Sequence, residues 1–294
     1  MPTLDALLTL DHPDDYARWR DQKLAELPRQ LDALLVEVRD PRQLSPAERS
    51  AIIDRCRRAN MAIYITRLGD EADKAIPRRL GEQLGLQQLD QNPGADDDAI
   101  TSLSVRSDVA HRRYIPYTDR ALAWHTDGYY NAPRRQINAF ILHCVRPAAE
   151  GGINGLIDPE VLYIRLRDIN PEHIQALGHP AAMTIPANTD EAEERPASVG
   201  PVFRPGPNGR LALRYTDRRR NVEWREDRPT QAALATLRGL LDDPETLGVE
   251  ARLESGWGLV CNNVLHRRSG FKDDAEHGRL LYRARYYERV AEPD

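Results

Sequence analysis

The pentapeptide Trp124-His125-Thr126-Asp127-Gly128 sets a histidine and a carboxylate two residues apart, and a second candidate histidine, His266, lies far downstream. Side chains at i and i+2 of an extended strand share a face, so His125 and Asp127 can grip one metal ion together. Closing such a site with His266 requires the chain to fold back so that two distant segments become neighbours. Two imidazoles and one carboxylate on one face of an octahedral ion leave three positions open, enough for a chelating co-substrate and O2, as in non-haem Fe(II) oxygenases.

The context strengthens the motif. Beyond His266, the run from Gly278 to Tyr287 alternates and is rich in aromatic residues, as a strand is, and Arg279 stands at its start. A guanidinium fork behind the metal would bind the far carboxylate of a dicarboxylate bidentately.

Four segments, in this order, resemble the taurine/2-oxoglutarate dioxygenase family, the clavaminate-synthase-like Fe(II)/2-oxoglutarate-dependent dioxygenases. They are Trp-His-Thr-Asp-Gly at 124–128, Arg146-Pro147 through Glu150-Gly151-Gly152-Ile153-Asn154, Asn262-Asn263-Val264-Leu265-His266, and Arg279-Leu280-Leu281-Tyr282-Arg283. The resemblance runs from about residue 100 to the C-terminus. It implies that His125, Asp127 and His266 hold Fe(II), and that Arg279 salt-bridges the distal carboxylate of 2-oxoglutarate. Family members usually carry threonine where this chain has Asn154, whose amide N–H can donate the equivalent hydrogen bond. The implied reaction consumes 2-oxoglutarate and O2, releases succinate and CO2, and oxidises a substrate C–H bond, with hydroxylation as the expected outcome.

Composition agrees with an enzyme of this kind. A hydrophobic content of 40% belongs to a globular chain, and a net charge of −5 argues against a nucleic-acid-binding domain. No apolar run approaches the ~20 residues of a membrane span, and the first residues lack a basic segment leading into an apolar one, so a cytoplasmic location is expected. Cys56, Cys144 and Cys261 are odd in number and have no C-x-x-C spacing, which fits small buried apolar side chains. Arg218-Arg219-Arg220 is followed at once by Glu223, Glu226 and Asp227 and reads as a solvated segment.

The first ninety or so residues read as helical. Leu24, Leu27, Leu31, Leu34 and Leu35 form a stripe between Asp14 and Val38, and Ser45-Pro46-Ala47-Glu48 is a capping-box start for a helix over Ile52 to Leu68. Such helices are expected to cover the sheet or to mediate self-association into a homo-oligomer. The breaker-rich segment from Asp90 to Asp98 divides this helical region, 1–95, from a catalytic region, 96–294. There, strand-like runs at 101–105, 136–145, 199–204, 210–215, 257–262 and 279–287 dominate, with helices at 159–168, 171–177 and 230–241. Many short strands without alternating helices favour an α+β jelly roll over a doubly wound sheet. The resemblance sharpens this to a double-stranded β-helix with flanking helices and an insertion at about 155–255 that carries lid and substrate determinants.

Among the other histidines, His143 reads as packed and hydrogen-bonded within a strand, His173 and His179 as surface residues, and His277 as a turn residue at a strand entrance. His111 has no carboxylate two residues away. If Arg279 faces the site, alternation turns Arg283 and Arg285 the same way and Tyr282, Ala284 and Tyr286 the other. Arg283 is then expected to meet an anionic group of a small organic acid, with Tyr129 and Tyr130 packing on the rest of that molecule, and Asp158 or Glu160 to neutralise an arginine internally. Two other readings use the same ligands: a zinc hydrolase, which leaves Arg279 without a role, and a non-catalytic jelly-roll binding protein. Iron-dependent release of succinate separates all three.

Overall fold

In the computed structural model of the chain, which describes residues 10, 13–91, 96, 98–106, 114–188, 195–218, 220–242, 248–274 and 278–290, the Ser45 signal starts a helix as expected. The Ser45 hydroxyl accepts from Glu48 N at 3.3 Å, and the Glu48 carboxylate accepts from Ser45 N at 2.6 Å. The N-terminal helices are α1 (Pro13–Glu26), α2 (Pro46–Ala59) and α3 (Ala75–Gln83).

Two helical expectations fail in this region. The leucine stripe leaves the α-helix at Glu26; Leu31–Leu34 form a 3-10 turn and Leu35–Glu37 a strand, β1. Helix α2 ends at Asn60, in the left-handed conformation at φ 58°, and Met61–Ile65 is strand β2. Four of the five residues of β2 are buried, and a continuous apolar run of that length suits a central strand covered on both faces. The N-terminal region therefore contributes to the sheet as well as covering it. Most of the segment from Asp90 to Asp98, and with it the expected boundary at 95, lies outside the described residues.

The remaining main strands are β3 (Thr101–Leu103), β4 (Leu122–His125), β5 (Ala139–Arg146), β6 (Asn154–Ile157), β7 (Gly248–Ala251), β8 (Gly258–Cys261), β9 (Leu265–Arg268) and β10 (Leu280–Tyr286). They form a six-stranded sheet in the order β1-β2-β8-β5-β10-β3 and a four-stranded sheet in the order β7-β6-β9-β4. Every pair is antiparallel except β1 with β2. Helices α4 (Pro159–Ile169), α5 (Glu172–Leu177) and α6 (Arg228–Asp242) fall where helices were expected.

Alternation along the strands divides the core into layers. Phe140, Leu142, Cys144, Leu259, Cys261 and Leu281 pack with Leu156 of the smaller sheet. Their neighbours Ile141, Val145, Val260, Tyr282, Ala284 and Tyr286 face the opposite way, against α2 and α3. On the outer side of the smaller sheet, Trp124, Ile157 and Leu265 join the apolar faces of α1, α4, α5 and α6. All three cysteines are buried and free. Among the described residues, no helix is long and apolar enough to cross a membrane.

Helix α1 is tied to this core through charge. Lys23 Nζ lies 2.6 Å from Asp158 Oδ2 and 2.6 Å from Glu160 Oε2, with all three side chains buried, and it also donates to Arg58 O at 2.7 Å. Asp158 caps α4 by accepting from Glu160 N. Removing the cation from such a cluster leaves two buried carboxylates without a counter-charge. Lys23→Ala should lower unfolding stability by about 3–5 kcal/mol, read from the urea midpoint at unchanged m-value.

Candidate metal centre

Strand β9 runs antiparallel to β4 with His266 directly opposite His125, which sets the two imidazole centroids 4.1 Å apart. Asp127 is not on the strand itself; it occupies the turn just past the end of β4. One ligand atom from each of His125, Asp127 and His266 lies within 4.8 Å of the others, and no other such cluster occurs among the described residues. His125 and Asp127 are buried, and His266 is largely buried.

The position of Asp127 is fixed by Asn263. The side-chain oxygen of Asn263 accepts from Asp127 N at 2.8 Å, and its amide nitrogen donates to Asp127 O at 3.0 Å and Ile137 O at 2.8 Å. Asn263 forms the corner between β8 in one sheet and β9 in the other and has φ 49°, a left-handed conformation that asparagine tolerates better than most residues. Gly128 is required for its own reason: at φ 65°, a Cβ there would lie 2.5 Å from Ile137 Cγ1. Sequence reasoning quoted Asn263 within a motif but gave it no task; an asparagine just ahead of a ligand-bearing strand was the available signal.

The ligand atoms are prepared for a cation. Nδ1 of His125 lies 2.9 Å from Ala123 O, and Nδ1 of His266 2.9 Å from Val264 O. A carbonyl only accepts, so each Nδ1 carries the hydrogen and each Nε2 presents a lone pair. Burial pushes the pKa of His125 down to about 3, helped by His266, and burial also lowers that of His266. Both rings are neutral at pH 7. Burial opposes ionisation of Asp127, yet Arg283 and Arg285 hold its carboxyl well below the usual carboxylate range. Its Oδ2 is buried with no hydrogen-bond partner. An orphaned carboxylate oxygen between two imidazole lone pairs fits a divalent transition metal.

Arg279 precedes β10 and is 5% exposed. Its backbone N–H donates to Asp273 Oδ1 at 2.9 Å, and its guanidinium stands 5.0 Å over the Phe271 ring, with no carboxylate partner among the described residues. It lines a narrow cleft with Ala148, Gly152, Asn154, Leu253 and Leu281. Asn154 donates to Ala251 O at 3.2 Å. Opposite Asn154 in register is Arg268, whose guanidinium lies 4.7 Å from the same Phe271 ring. Burial and the charge of Arg279 bring the Arg268 pKa down to about 9. Arg268 donates to the carbonyls of Thr118 and Arg120, whereas Arg279, with no carboxylate partner among the described residues, gives the cleft a buried cation that suits an anion.

On β10, Arg283 and Arg285 face the metal ligands while Tyr282, Ala284 and Tyr286 face away, as alternation requires. Arg283 Nη1 lies 3.1 Å from Asp127 Oδ1. Arg285 pairs with Asp90 and donates to the Tyr130 hydroxyl at 3.0 Å. Asp158 and Glu160, expected to neutralise one of these arginines, instead serve Lys23, because α4 lies on the far side of the smaller sheet. The Tyr129 ring meets His125 edge-on at 6.5 Å and Tyr130 at 5.2 Å. Thr216 is bridged to His125 at the outer edge of β4, and Arg218 stands beside the Tyr129 hydroxyl.

The other described histidines lie apart from the centre. His143 is packed within β5, stacked on Tyr64 and bonded to its hydroxyl at 2.9 Å. His179 is half-buried and accepts from Ala181 N. His173, expected at the surface, is buried between α5 and α6, 3.0 Å from the Thr236 hydroxyl. His111 and His277 lie outside the described residues.

Residues 23–285 match the model of the taurine catabolism dioxygenase TauD, TfdA family. A uridine-5'-phosphate dioxygenase from Amycolatopsis sp is 29% identical over 283 residues, covering 88% of this chain and 98% of that protein. One from Streptomyces sp is 30% identical over 199 residues, covering 64% of this chain and 69% of that protein. Among solved structures, an asparagine oxygenase in complex with Fe(II), 3-hydroxyasparagine and succinate aligns with TM-score 0.60 at 14% identity, covering 82% of this chain and 79% of that one. The non-haem iron oxygenase OrfP aligns with TM-score 0.56 at 16% identity, covering 83% and 79%. At these identities the structures show a shared mixed α/β fold.

Asn263→Ala would strip three backbone groups of their partners and place alanine in a left-handed conformation. A loss of about 2–4 kcal/mol in unfolding free energy is expected from denaturant titration of the metal-free protein.

Proposed function

The chain belongs to the TauD/TfdA family of Fe(II)- and 2-oxoglutarate-dependent dioxygenases, and from that membership we propose that His125, Asp127 and His266 hold the iron, that Arg279 and Asn154 hold the co-substrate, and that Arg283, Tyr129 and Tyr130 receive an anionic substrate. The observation that carries the assignment is the buried triad, with its two preset Nε2 lone pairs and the orphaned Asp127 Oδ2. When bound, the iron together with 2-oxoglutarate and O2 supplies the oxidising power for a substrate C–H bond, with succinate and CO2 released. The protein's share is placement. Arg279, buried and with no carboxylate partner among the described residues, fixes the far carboxylate of 2-oxoglutarate in a fork, and the Asn154 amide lies on the same cleft. A zinc hydrolase would have no use for that cleft.

The two sheets and the apolar layer between them support a double-stranded β-helix, with the metal ligands on strands and turns of the smaller sheet. The insertion from about 155 to 255 supplies the outer wall of the substrate side through Thr216 and Arg218. Relatives named for uridine 5'-phosphate, together with the inward-facing Arg283, point to a phosphate-bearing small molecule as the substrate class. Uridine 5'-phosphate is the first compound to test for stimulated succinate release. Stimulation only by cationic or neutral compounds would overturn the anionic-substrate reading.

Asp127→Ala should abolish most Fe(II) binding as well as turnover, since a methyl group offers no ligand atom; equilibrium dialysis of the ion checks the first effect independently of the second. Arg279→Ala should raise the 2-oxoglutarate requirement roughly thirtyfold or more, whereas Asn154→Ala should raise it only about fivefold, because a buried charged pair outweighs a neutral hydrogen bond. Titration of 2-oxoglutarate into each variant measures the order, and the reverse order would move the carboxylate anchor away from Arg279.

A further inference from the structure

Arg285 lies two residues beyond Arg283 on the same face of β10 but is committed differently. Its side chain is 2% exposed, and its charge is met by the equally buried Asp90, which also accepts from the Tyr287 hydroxyl at 2.5 Å and pairs with Arg135 at 3.3 Å. A cation neutralised in this way has little left for a ligand. Its remaining contact is a hydrogen bond from Nη1 to the Tyr130 hydroxyl at 3.0 Å.

That contact has a fixed direction. A guanidinium has no lone pair, so the tyrosine oxygen is the acceptor and its single O–H must point elsewhere. Among the described residues, nothing accepts that hydrogen. Tyr130 is half-buried, three residues past Asp127 and edge-on to Tyr129, which is itself edge-on to His125. Arg283 is also incompletely used: Nη1 meets Asp127, while its Nε is buried without a partner. Arg283 and Arg285 are same-face neighbours on the strand, roughly 7 Å apart along it, so the Arg283 donors and the hydroxyl that Arg285 holds border the same side of the sheet.

We infer that Tyr130 is a hydrogen-bond donor to the substrate's anionic group, aimed by the Asp90–Arg285 pair, and that with Arg283 it forms a two-sided oxyanion site. Tyr130 touches the ligand; Arg285 and Asp90 are positioning residues that act through it. A tetrahedral oxyanion with three terminal oxygens satisfies donors on two sides at once, so the site favours a phosphate monoester over a planar carboxylate. The inference rests on the reading of Arg283 as the anion anchor.

The test is calorimetric titration of inorganic phosphate into the anaerobic protein loaded with Fe(II) and 2-oxoglutarate. Tyr130→Phe should weaken phosphate binding about tenfold, the scale of a hydrogen bond to a charged group. Arg285→Lys keeps the charge beside Asp90 but loses the fork that reaches Tyr130. It should weaken phosphate binding in the wild-type background and have no further effect in the Tyr130→Phe background, whereas a merely structural role would make the two losses additive. Unchanged phosphate affinity in Tyr130→Phe, or additive losses, would overturn the inference while leaving the Arg283 anchor standing. Unchanged affinity in Arg283→Ala would overturn the anchor itself. Wild-type protein that binds no phosphate would overturn the oxyanion site.

Discussion

The antiparallel pairing of β4 with β9 is the constraint on which the centre depends. It brings His125 and His266 onto one rung although they are far apart in sequence, and the Asn263 corner that begins β9 reaches across to hold the backbone of Asp127. One connection between the sheets thus sets both the distant ligand and the carboxylate. Rigid placement of this kind matters because ligand atoms must converge before an ion is there to organise them.

Charge inside the protein is arranged with the same division of labour. Lys23, Asp158 and Glu160 neutralise one another behind the smaller sheet, and Arg285 and Asp90 do so beside the substrate side. Arg279 is different, being buried beside the Phe271 ring with no carboxylate partner among the described residues. Arg283 is shared, tied to Asp127 and still holding an unmet N–H. Groups with closed accounts shape the fold, and those left open mark where ligands enter.

Much of this was legible in the chain. The capping box at Ser45 and the alternation that turns Arg283 and Arg285 inward are local rules, and the structure follows them; His125 and Asp127 do converge, but with Asp127 on the turn past β4 rather than on the strand. What escaped depended on contacts between distant segments. Met61–Ile65 follows directly on a helix and has an apolar run that periodicity alone cannot distinguish from more helix; its strand character comes from pairing with β8. The partners of Asp158 and Glu160 were misjudged because no sequence rule brings Lys23 to them. Asn263 shows its task only when the corner and Asp127 are seen together.

The order of strands in the larger sheet also bears on how the chain acquires its structure. Strand β8 lies between β2 and β5, with Leu259 in register with Ile63 on one side and Leu142 on the other. During synthesis, β2 and β5 emerge long before the strand that joins them, each with an apolar edge awaiting a neighbour. Pairings so far apart in sequence are slow to form and leave such edges open to other chains. Closure of this sheet therefore waits for Gly258–Cys261, and a nascent chain halted short of Gly258 would present two unmatched strand edges to whatever chaperone meets it first.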